Sequence, residues 1–243
     1  MTEDFANSEL FPTSFHVLRC DRNLSIIGGT RGGGALLAFS NALSCEKLDL
    51  HCITECVPTI DIVGAKISYS PNTKLIILVA YIPPATEFAS YELFFELLSH
   101  LPFIYDNHVI LLGDFNVPEY NTDHQNDKRA MLIKNYEQLF NFTQYNYVTN
   151  SIGRVLDLVL SNIDNCSVTK EFPLIKEDNY HPSLSVQLTI QADKYNNFQS
   201  NAIHKKYNFK KANFPRLYEL LIQTDWTFLN KFSEINAACQ ALL

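Results

Sequence analysis

Residues 108–116 read His-Val-Ile-Leu-Leu-Gly-Asp-Phe-Asn, and this stretch decides the fold of the chain. Its first half is apolar and a glycine follows at once, which predicts a buried strand that ends abruptly. Asp114 and Asn116 come at the carboxyl end of this strand, where ligands bind in α/β sheets. Alternation places these two side chains on one face and Phe115 on the other. A carboxylate beside an amide suits a hard cation and a phosphate oxygen, whereas an ordinary Gly-Asp turn is the alternative interpretation.

Apolar runs predict the strands around this stretch. They cover residues 15–19, 35–39, 53–69, 74–82, 147–149, 155–160, 167–172 and 184–190, with Pro58 as a break in the third. The glycine-dense segment 26–34 lacks the spacing of a phosphate-binding loop, which favours a tight turn that leads into the second strand.

Helical periodicity predicts two helices, at residues 86–100 and 128–142. Their predicted inner faces consist of Tyr91, Phe94, Phe95 and Leu98 in the first helix, and of Leu132, Tyr136, Leu139 and Phe140 in the second. Helices and strands alternate in the middle of the chain and strands dominate afterwards. This order predicts an α/β fold with a mixed sheet, or two sheets packed face to face with helices outside.

A length of 243 residues suits one large domain, or one domain with a tail. The amino-acid composition changes near residue 191, where an Asn-rich polar segment begins. We therefore predict a domain at residues 1–192 and, at residues 193–243, a linker and a short helical extension.

The composition supports a sizeable core, because 47% of residues are hydrophobic and 19% are charged. The net charge is −7, with −10 on residues 1–192 and +3 on the rest. An acidic body binds a polyanion only if metal ions and a basic rim offset the repulsion. No apolar run approaches the roughly 20 residues that a membrane span needs. No signal peptide is predicted, so free thiols and a nuclear or cytoplasmic location are expected rather than secretion.

Three more polar residues lie at or near predicted strand ends. Tyr81 ends the strand before Pro83, Asp157 lies inside an apolar run, and His181 precedes the last strand. A carboxylate among apolar residues is costly unless it is paired, and His181 is the candidate partner. Such a pair raises the pKa of the imidazole, which then stays charged near a phosphate. The alternatives are a core tyrosine, a surface-facing aspartate and a loop histidine.

These residues resemble a known group of enzymes. The motifs that carry the resemblance are Val-Ala-Tyr-Ile-Pro-Pro at 79–84, Leu-Leu-Gly-Asp-Phe-Asn at 111–116, Leu-Asp-Leu-Val-Leu-Ser-Asn at 156–162, the Gly-Gly-Gly strand at 31–39 and Thr2-Glu3. Together they resemble the endonuclease/exonuclease/phosphatase superfamily, and more narrowly the apurinic-type endonuclease domain of insect non-LTR retrotransposon polyproteins. The resemblance covers roughly residues 1–190. Residues 207–226 resemble the linker that precedes the reverse transcriptase in those polyproteins.

The resemblance implies a DNase I-like four-layer α/β sandwich, in which two mixed sheets pack face to face with helices outside. It implies a metal-dependent endonuclease that nicks double-stranded DNA to prime reverse transcription, with a reverse transcriptase domain as partner in the intact element. Mg²⁺ is the expected ion and Mn²⁺ the alternative. Glu3 would be the metal carboxylate, and the catalytic set would comprise Tyr81, Asp114, Asn116, Asp157 and His181.

Two departures from the family pattern shape the expectation. The family has a strand with an Asn a few tens of residues before the Glu, so a domain without its first strand is expected. The superfamily usually has Asp before the final His, whereas this sequence has Tyr180, and Asp178 is the expected substitute at the metal. The alternatives are an inactive remnant of an element and a phosphatase or phospholipase of the same fold.

Overall fold

The computed structural model describes residues 6–23, 32–68, 74–121, 127–173, 176–190 and 214–227. The chain divides into two compact units, Met1–Tyr195 and Asn196–Leu243. Glu3, most of the glycine-dense segment and residues 193–213 lie outside the described residues. In the second unit, the helix α6 covers Phe214–Gln223.

The first unit carries the other described elements. Its strands are β1 Phe15–Cys20, β2 Ala35–Ser40, β3 Ser44–Lys47, β4 Asp61–Ser68, β5 Lys74–Tyr81, β6 His108–Asp114, β7 Thr143–Gln144, β8 Asp157–Ser161, β9 Cys166–Lys170 and β10 Leu184–Leu188. Its helices are α1 Asn7–Leu10, α2 His51–Cys56, α3 Phe88–Ser99, α4 Phe103–Asp106 and α5 Lys128–Phe140.

A six-stranded mixed sheet in the order β3-β4-β5-β6-β8-β7 forms the centre of the unit. β5 and β6 run parallel, and the other neighbouring strands are antiparallel. Both faces of β5 and β6 are covered by other parts of the chain, so their side chains are apolar on both faces. Continuous apolar runs therefore predicted these two strands, rather than an alternation of apolar and polar residues.

Helices cover one face of this sheet. All four predicted inner residues of α3 are buried there, and they pack with Phe115 and with α5. Asp127 begins α5 by accepting hydrogen bonds from the backbone N–H groups of Arg129 and Ala130, and Asn141 ends it in the left-handed conformation.

Two small antiparallel sheets, β1-β2 and β9-β10, pack on the opposite face. Their apolar side chains meet Ala65, Ile67, Leu75, Ile110 and Val159 of the large sheet. The predicted α/β architecture with packed sheets and outer helices is thus confirmed. In the described part of the chain, the second layer consists of two separate antiparallel pairs rather than one mixed sheet.

Some local predictions are wrong. Residues 53–56 belong to α2 instead of a strand, because Ile53 anchors one helical face in the core. Leu139 is 55% exposed, and Ala130 and Ile133 occupy the inner face of α5 instead. The predicted strand 147–149 is absent, and the short strand β7 lies before it.

Three further elements were not predicted from the sequence, namely α1, β3 and α4. Each is four residues long, so none shows a full hydrophobic period. None of the helices within the described ranges is long and apolar enough to cross a membrane.

Candidate active site

Four polar residues form a row across one end of the large sheet. In the strand registers, Asp61 lies opposite Tyr81, Tyr81 opposite Asp114, and Asp114 opposite Asp157. Directly opposed residues share a face, and this row shares the face that packs against the two small sheets. The row therefore lies where the two layers of strands meet.

The backbone around Asp114 has an unusual course. Gly113 has a φ of +141°, and a Cβ there would lie 1.8 Å from the carbonyl oxygen of Ala80 on the neighbouring strand. Asn116 has a φ of +51°, a conformation that asparagine tolerates better than most residues. The chain therefore turns sharply after Asp114 while Phe115 enters the core on the other side.

Asn116 fixes the carboxylate of Asp114. Its backbone N–H donates to Asp114 Oδ1 at 3.1 Å, and its Nδ2 donates to Asp114 Oδ2 at 2.6 Å and to the carbonyl of Ile82 at 2.9 Å. The hydroxyl of Tyr91, from α3, donates to the carbonyl of Phe115. This turn is thus held from both the sheet and the helix layer.

His181 lies between the two aspartates of the row. Its Nδ1 is 3.1 Å from Asp157 Oδ1, and its Nε2 is 3.6 Å from Asp114 Oδ2. The hydrogen bond with Asp157 raises the pKa of His181 to about 9, against the opposing effect of burial. Burial raises the pKa of Asp114 to about 6, although His181 acts in the opposite direction. Near neutral pH the site therefore holds an imidazolium between two carboxylates.

Arg22 approaches the other end of the row from the chain just after β1. Its Nη1 donates to Asp61 Oδ2 at 2.7 Å, and its guanidinium lies 5.4 Å from the centre of the Tyr81 ring. Gly34 N–H donates to the same Asp61 oxygen at 2.8 Å. Burial and the carboxylate of Asp114 raise the pKa of Tyr81, so this phenol stays protonated.

Arg22 and Asp61 were not predicted as site residues. Arg22 is 8% exposed and Asp61 3% exposed, and the two are separated by 39 positions in the chain. Asp61 follows the apolar Ile60 and precedes Ile62, and this position was the available signal, because an acid in such a place needs a cationic partner. The sequence does not say which arginine supplies it.

A cleft of about 460 Å³ opens beside the row. Tyr81, Asp114, Asn116 and His181 all line it, so the structure brings four of the five predicted catalytic residues to one surface. The fifth residue, Asp157, does not line the cleft itself but contacts His181, which does. The remaining walls include Pro84, Pro118, Arg129, Ile152, Arg154 and Tyr180.

Asp114, Asp157 and His181 could hold a metal ion. Their ligand atoms lie within 4.8 Å of one another. Carboxylate oxygens suit a hard divalent cation, and burial raises the pKa of Asp114, so a bound cation would stabilise its ionised form. The residues therefore fit such an ion, although a protonated imidazole cannot serve as a ligand.

The two predicted metal carboxylates are not part of this group. Glu3 lies outside the described residues. Asp178 is exposed, and its Oδ1 accepts a hydrogen bond from the backbone N–H of Tyr180 at 2.7 Å. Tyr180 itself is 53% exposed and lines the cleft beside His181.

The fold is similar to that of solved proteins, whereas no protein-family model and no curated protein matches the sequence. The endonuclease domain of TRAS1, a telomere-specific non-LTR retrotransposon, aligns with a TM-score of 0.55 and 14% identity over 74% of this chain and 80% of that one. The human Nocturnin catalytic domain, solved with a bound sulfate anion, aligns with a TM-score of 0.50 and 11% identity over 77% of each chain. These likenesses confirm the predicted DNase I-like fold.

Proposed function

We propose that the first unit of this chain is a metal-dependent phosphodiesterase that nicks double-stranded DNA, like the endonuclease of non-LTR retrotransposons. The observation that carries the proposal is the contact of His181 with both Asp157 and Asp114 at the mouth of the cleft. The fold shared with the TRAS1 endonuclease domain supports it. In an element, the resulting nick would leave a 3′ hydroxyl that primes reverse transcription.

Each residue has a role that its environment supports. Asp114 orients or deprotonates the attacking water, because a carboxylate with a pKa of about 6 is basic enough to take a proton and is still ionised at neutral pH. His181, kept charged by Asp157, stabilises the negative charge that develops on the scissile phosphate. Tyr81 donates a proton or a hydrogen bond to the phosphate or the leaving oxygen. Asn116 keeps the carboxylate of Asp114 in place.

A divalent cation, Mg²⁺ or alternatively Mn²⁺, would polarise the phosphate oxygens when bound. Among the residues that the structure describes, Asp114 and Asp157 offer the carboxylate oxygens that would hold it. The resemblance adds Glu3 and Asp178.

The proposal extends to the second part of the chain. Residues 193–243 would serve as the linker and helical extension that join this nuclease to a reverse transcriptase domain. The support is their resemblance to the corresponding segment of retrotransposon polyproteins. A nuclease that primes reverse transcription in this way would act on chromosomal DNA.

A plasmid-nicking assay with Mg²⁺ tests the proposal. The wild-type chain should convert supercoiled DNA to the open circle, and Asp114→Ala should reduce the rate by at least about 100-fold because the general base is lost. Asp164→Ala is the matched control, since Asp164 is exposed and lies outside the cleft. This control should retain the wild-type rate.

The proposal is wrong if the wild-type chain leaves the plasmid supercoiled with both Mg²⁺ and Mn²⁺. It is equally wrong if Asp114→Ala nicks as fast as the wild type, because the activity would then come from elsewhere.

A further inference from the structure

Three amide side chains are buried in and beside the irregular segment that joins β7 to β8. Asn146 is 1% exposed, Gln144 6% and Asn150 7%. Burial of an amide costs free energy unless its donors and acceptors are paired. The partners of these amides are backbone groups, and two of those groups belong to residues at or next to the Asp157–His181 pair.

Asn146 holds the backbone of Asp157. Its Nδ2 donates to the carbonyl of Asp157 at 2.6 Å, and its Oδ1 accepts from the N–H of Val148 at 2.9 Å. Gln144 in turn accepts from the N–H of Asn146 at 3.0 Å and from that of Val159 at 2.9 Å. The start of β8 is therefore fixed to the segment that precedes it.

Asn150 holds the chain that leads into His181. Its Nδ2 donates to the carbonyl of Tyr180 at 3.2 Å, while its Oδ1 accepts from the N–H groups of Ile152 and Arg154 at 3.1 and 2.9 Å. Ser151 adds two bonds to the carbonyl of Asn179, from its N–H at 3.1 Å and from its hydroxyl at 2.7 Å.

No strand pairing in the described part of the chain joins β8 to residues 177–183. The Asp157–His181 contact therefore depends on tertiary hydrogen bonds rather than on a sheet ladder. One short segment supplies such bonds to both sides: Asn146 to the backbone of Asp157, and Asn150 to the residue before His181.

We infer that Asn150 is a positioning residue that sets the alignment of His181 with Asp157, whose backbone Asn146 fixes from the same segment. Neither amide contacts the side chains of the pair, so they act through the backbone. The catalytic consequence of this inference rests on the proposed function, whereas the geometric part does not. A displacement of about 1 Å at a reacting group can cost about 100-fold in rate.

The test uses Asn150→Asp and Asn150→Ala in the full chain. Asn150→Asp keeps the acceptor for the turn and removes the donor to Tyr180, whereas Asn150→Ala removes both. The matched controls are Asn165→Asp and Asn165→Ala, because Asn165 is exposed at the start of the β9 strand region. Thermal unfolding identifies the variants that stay folded.

The first readout is the proton NMR signal of the hydrogen-bonded Nδ1–H of His181 in metal-free protein at neutral pH. The variant His181→Ala assigns the signal by its loss. We expect both Asn150 variants to lose or strongly shift it, and both Asn165 variants to keep it. In the nicking assay, kcat should fall by about tenfold to 100-fold in the Asn150 variants with little change in KM.

The inference is overturned if the folded Asn150 variants keep the wild-type signal, whatever their activity, or if the wild type shows no such signal. If the wild type fails to nick but the signal responds as expected, the proposed function fails and the positioning role stands. Ser151→Ala, which removes one hydroxyl contact, should give a smaller change of the same kind and replaces the Asn150 variants if both unfold.

Discussion

The charge state of two residues, Asp114 and His181, determines when the proposed reaction can proceed. The pKa of Asp114 is raised to about 6 and that of His181 to about 9. Catalysis needs the first group ionised and the second protonated. We therefore expect the nicking rate to rise with pH through about 6 and to fall through about 9. A higher Mg²⁺ concentration should move the acid limb to lower pH, since cation and proton compete for Asp114.

The same shift of His181 predicts how the stability of the metal-free protein depends on pH. A raised pKa in the folded state means that the contribution of His181 is complete below 6.5 and is lost as the pH rises through about 9. Urea unfolding across this range should show the loss in the wild type and not in His181→Ala. The assigned charge states are wrong if the rate shows no rise through about 6 and no fall through about 9, or if the wild-type stability does not decrease between pH 6.5 and about 9.

Gly33 offers a second prediction for a single residue. A Cβ at Gly33 would lie 2.2 Å from Cδ of Arg22, whose guanidinium is held by Asp61. Gly33→Ala should therefore destabilise the fold by about 1–3 kcal/mol and should displace Arg22 from Tyr81. Gly32→Ala is a close control, because its φ of +105° gives similar strain while no atom lies within 4 Å. Equal urea midpoints for the two variants would show that the close approach of Gly33 to Arg22 does not affect the free energy of unfolding.

Only some of these site residues could be predicted from the sequence. Asp114, Asn116 and Tyr81 could be predicted because each ends an apolar run, and sheet topology brings such ends together. Arg22 could not be predicted, because its role depends on a partner 39 residues away and on the space that Gly33 leaves. Long-range pairing of this kind leaves no periodic signal in the sequence.

Among the elements, α3 and β5 could be predicted because tertiary packing and local pattern agree. The errors occurred where side chains compete with regular structure. In the predicted strand 147–149, the side-chain carbonyl of Asn146 accepts the backbone N–H of Val148 that a strand ladder would use, so the apolar Tyr147–Val148 pair did not form a strand. In α2, a helix of six residues is too short for its pattern to be told from a strand.

A hydrogen bond links the helix α3 to the turn that holds Asp114, so we expect the loss of this bond to affect both stability and activity. The hydroxyl of Tyr91, which is fully buried, donates to the carbonyl of Phe115, between Asp114 and Asn116. Tyr91→Phe leaves this buried carbonyl without its donor and should cost about 1–3 kcal/mol of stability in urea unfolding. It should also lower kcat, because the turn that holds Asp114 loses its link to the helix layer.

Tyr105→Phe is the matched control for this change, because Tyr105 is 51% exposed. If Tyr91→Phe and Tyr105→Phe have the same stability and the same kcat as the wild type, the link between α3 and the site has no measurable effect.

Considered as a whole molecule, the site lies between two layers that come from distant parts of the sequence. The large sheet supplies the row from Asp61 to Asp157, and the two small sheets bring Arg22 and His181 to its ends. The order of the motifs along the chain predicted the fold class. The division of the second layer into two separate pairs could not be predicted, because a strand's pattern identifies its buried face but not its neighbour.

The charge of the whole molecule gives the last prediction, since an acidic protein must bind a polyanion. The net charge is −7, so attraction to DNA has to come from local cations beside the row. Arg154 is exposed and lines both the cleft and a neighbouring cavity of about 470 Å³. If it contacts a phosphate, Arg154→Ala should raise KM for plasmid DNA with a smaller effect on kcat. It should also reduce the slope of log KM against log salt concentration by about 1.

Arg216→Ala changes the net charge equally and is the control, because Arg216 lies in the second unit and pairs with Glu219 at 2.8 Å. Its salt slope should match that of the wild type. If both variants lower the slope by the same amount, the effect comes from net charge and Arg154 does not contact the phosphate. If neither variant lowers the slope, the attraction of DNA to this acidic molecule must depend on the metal ion and on other cations. The reason is that the slope is proportional to the number of phosphates that the protein neutralises.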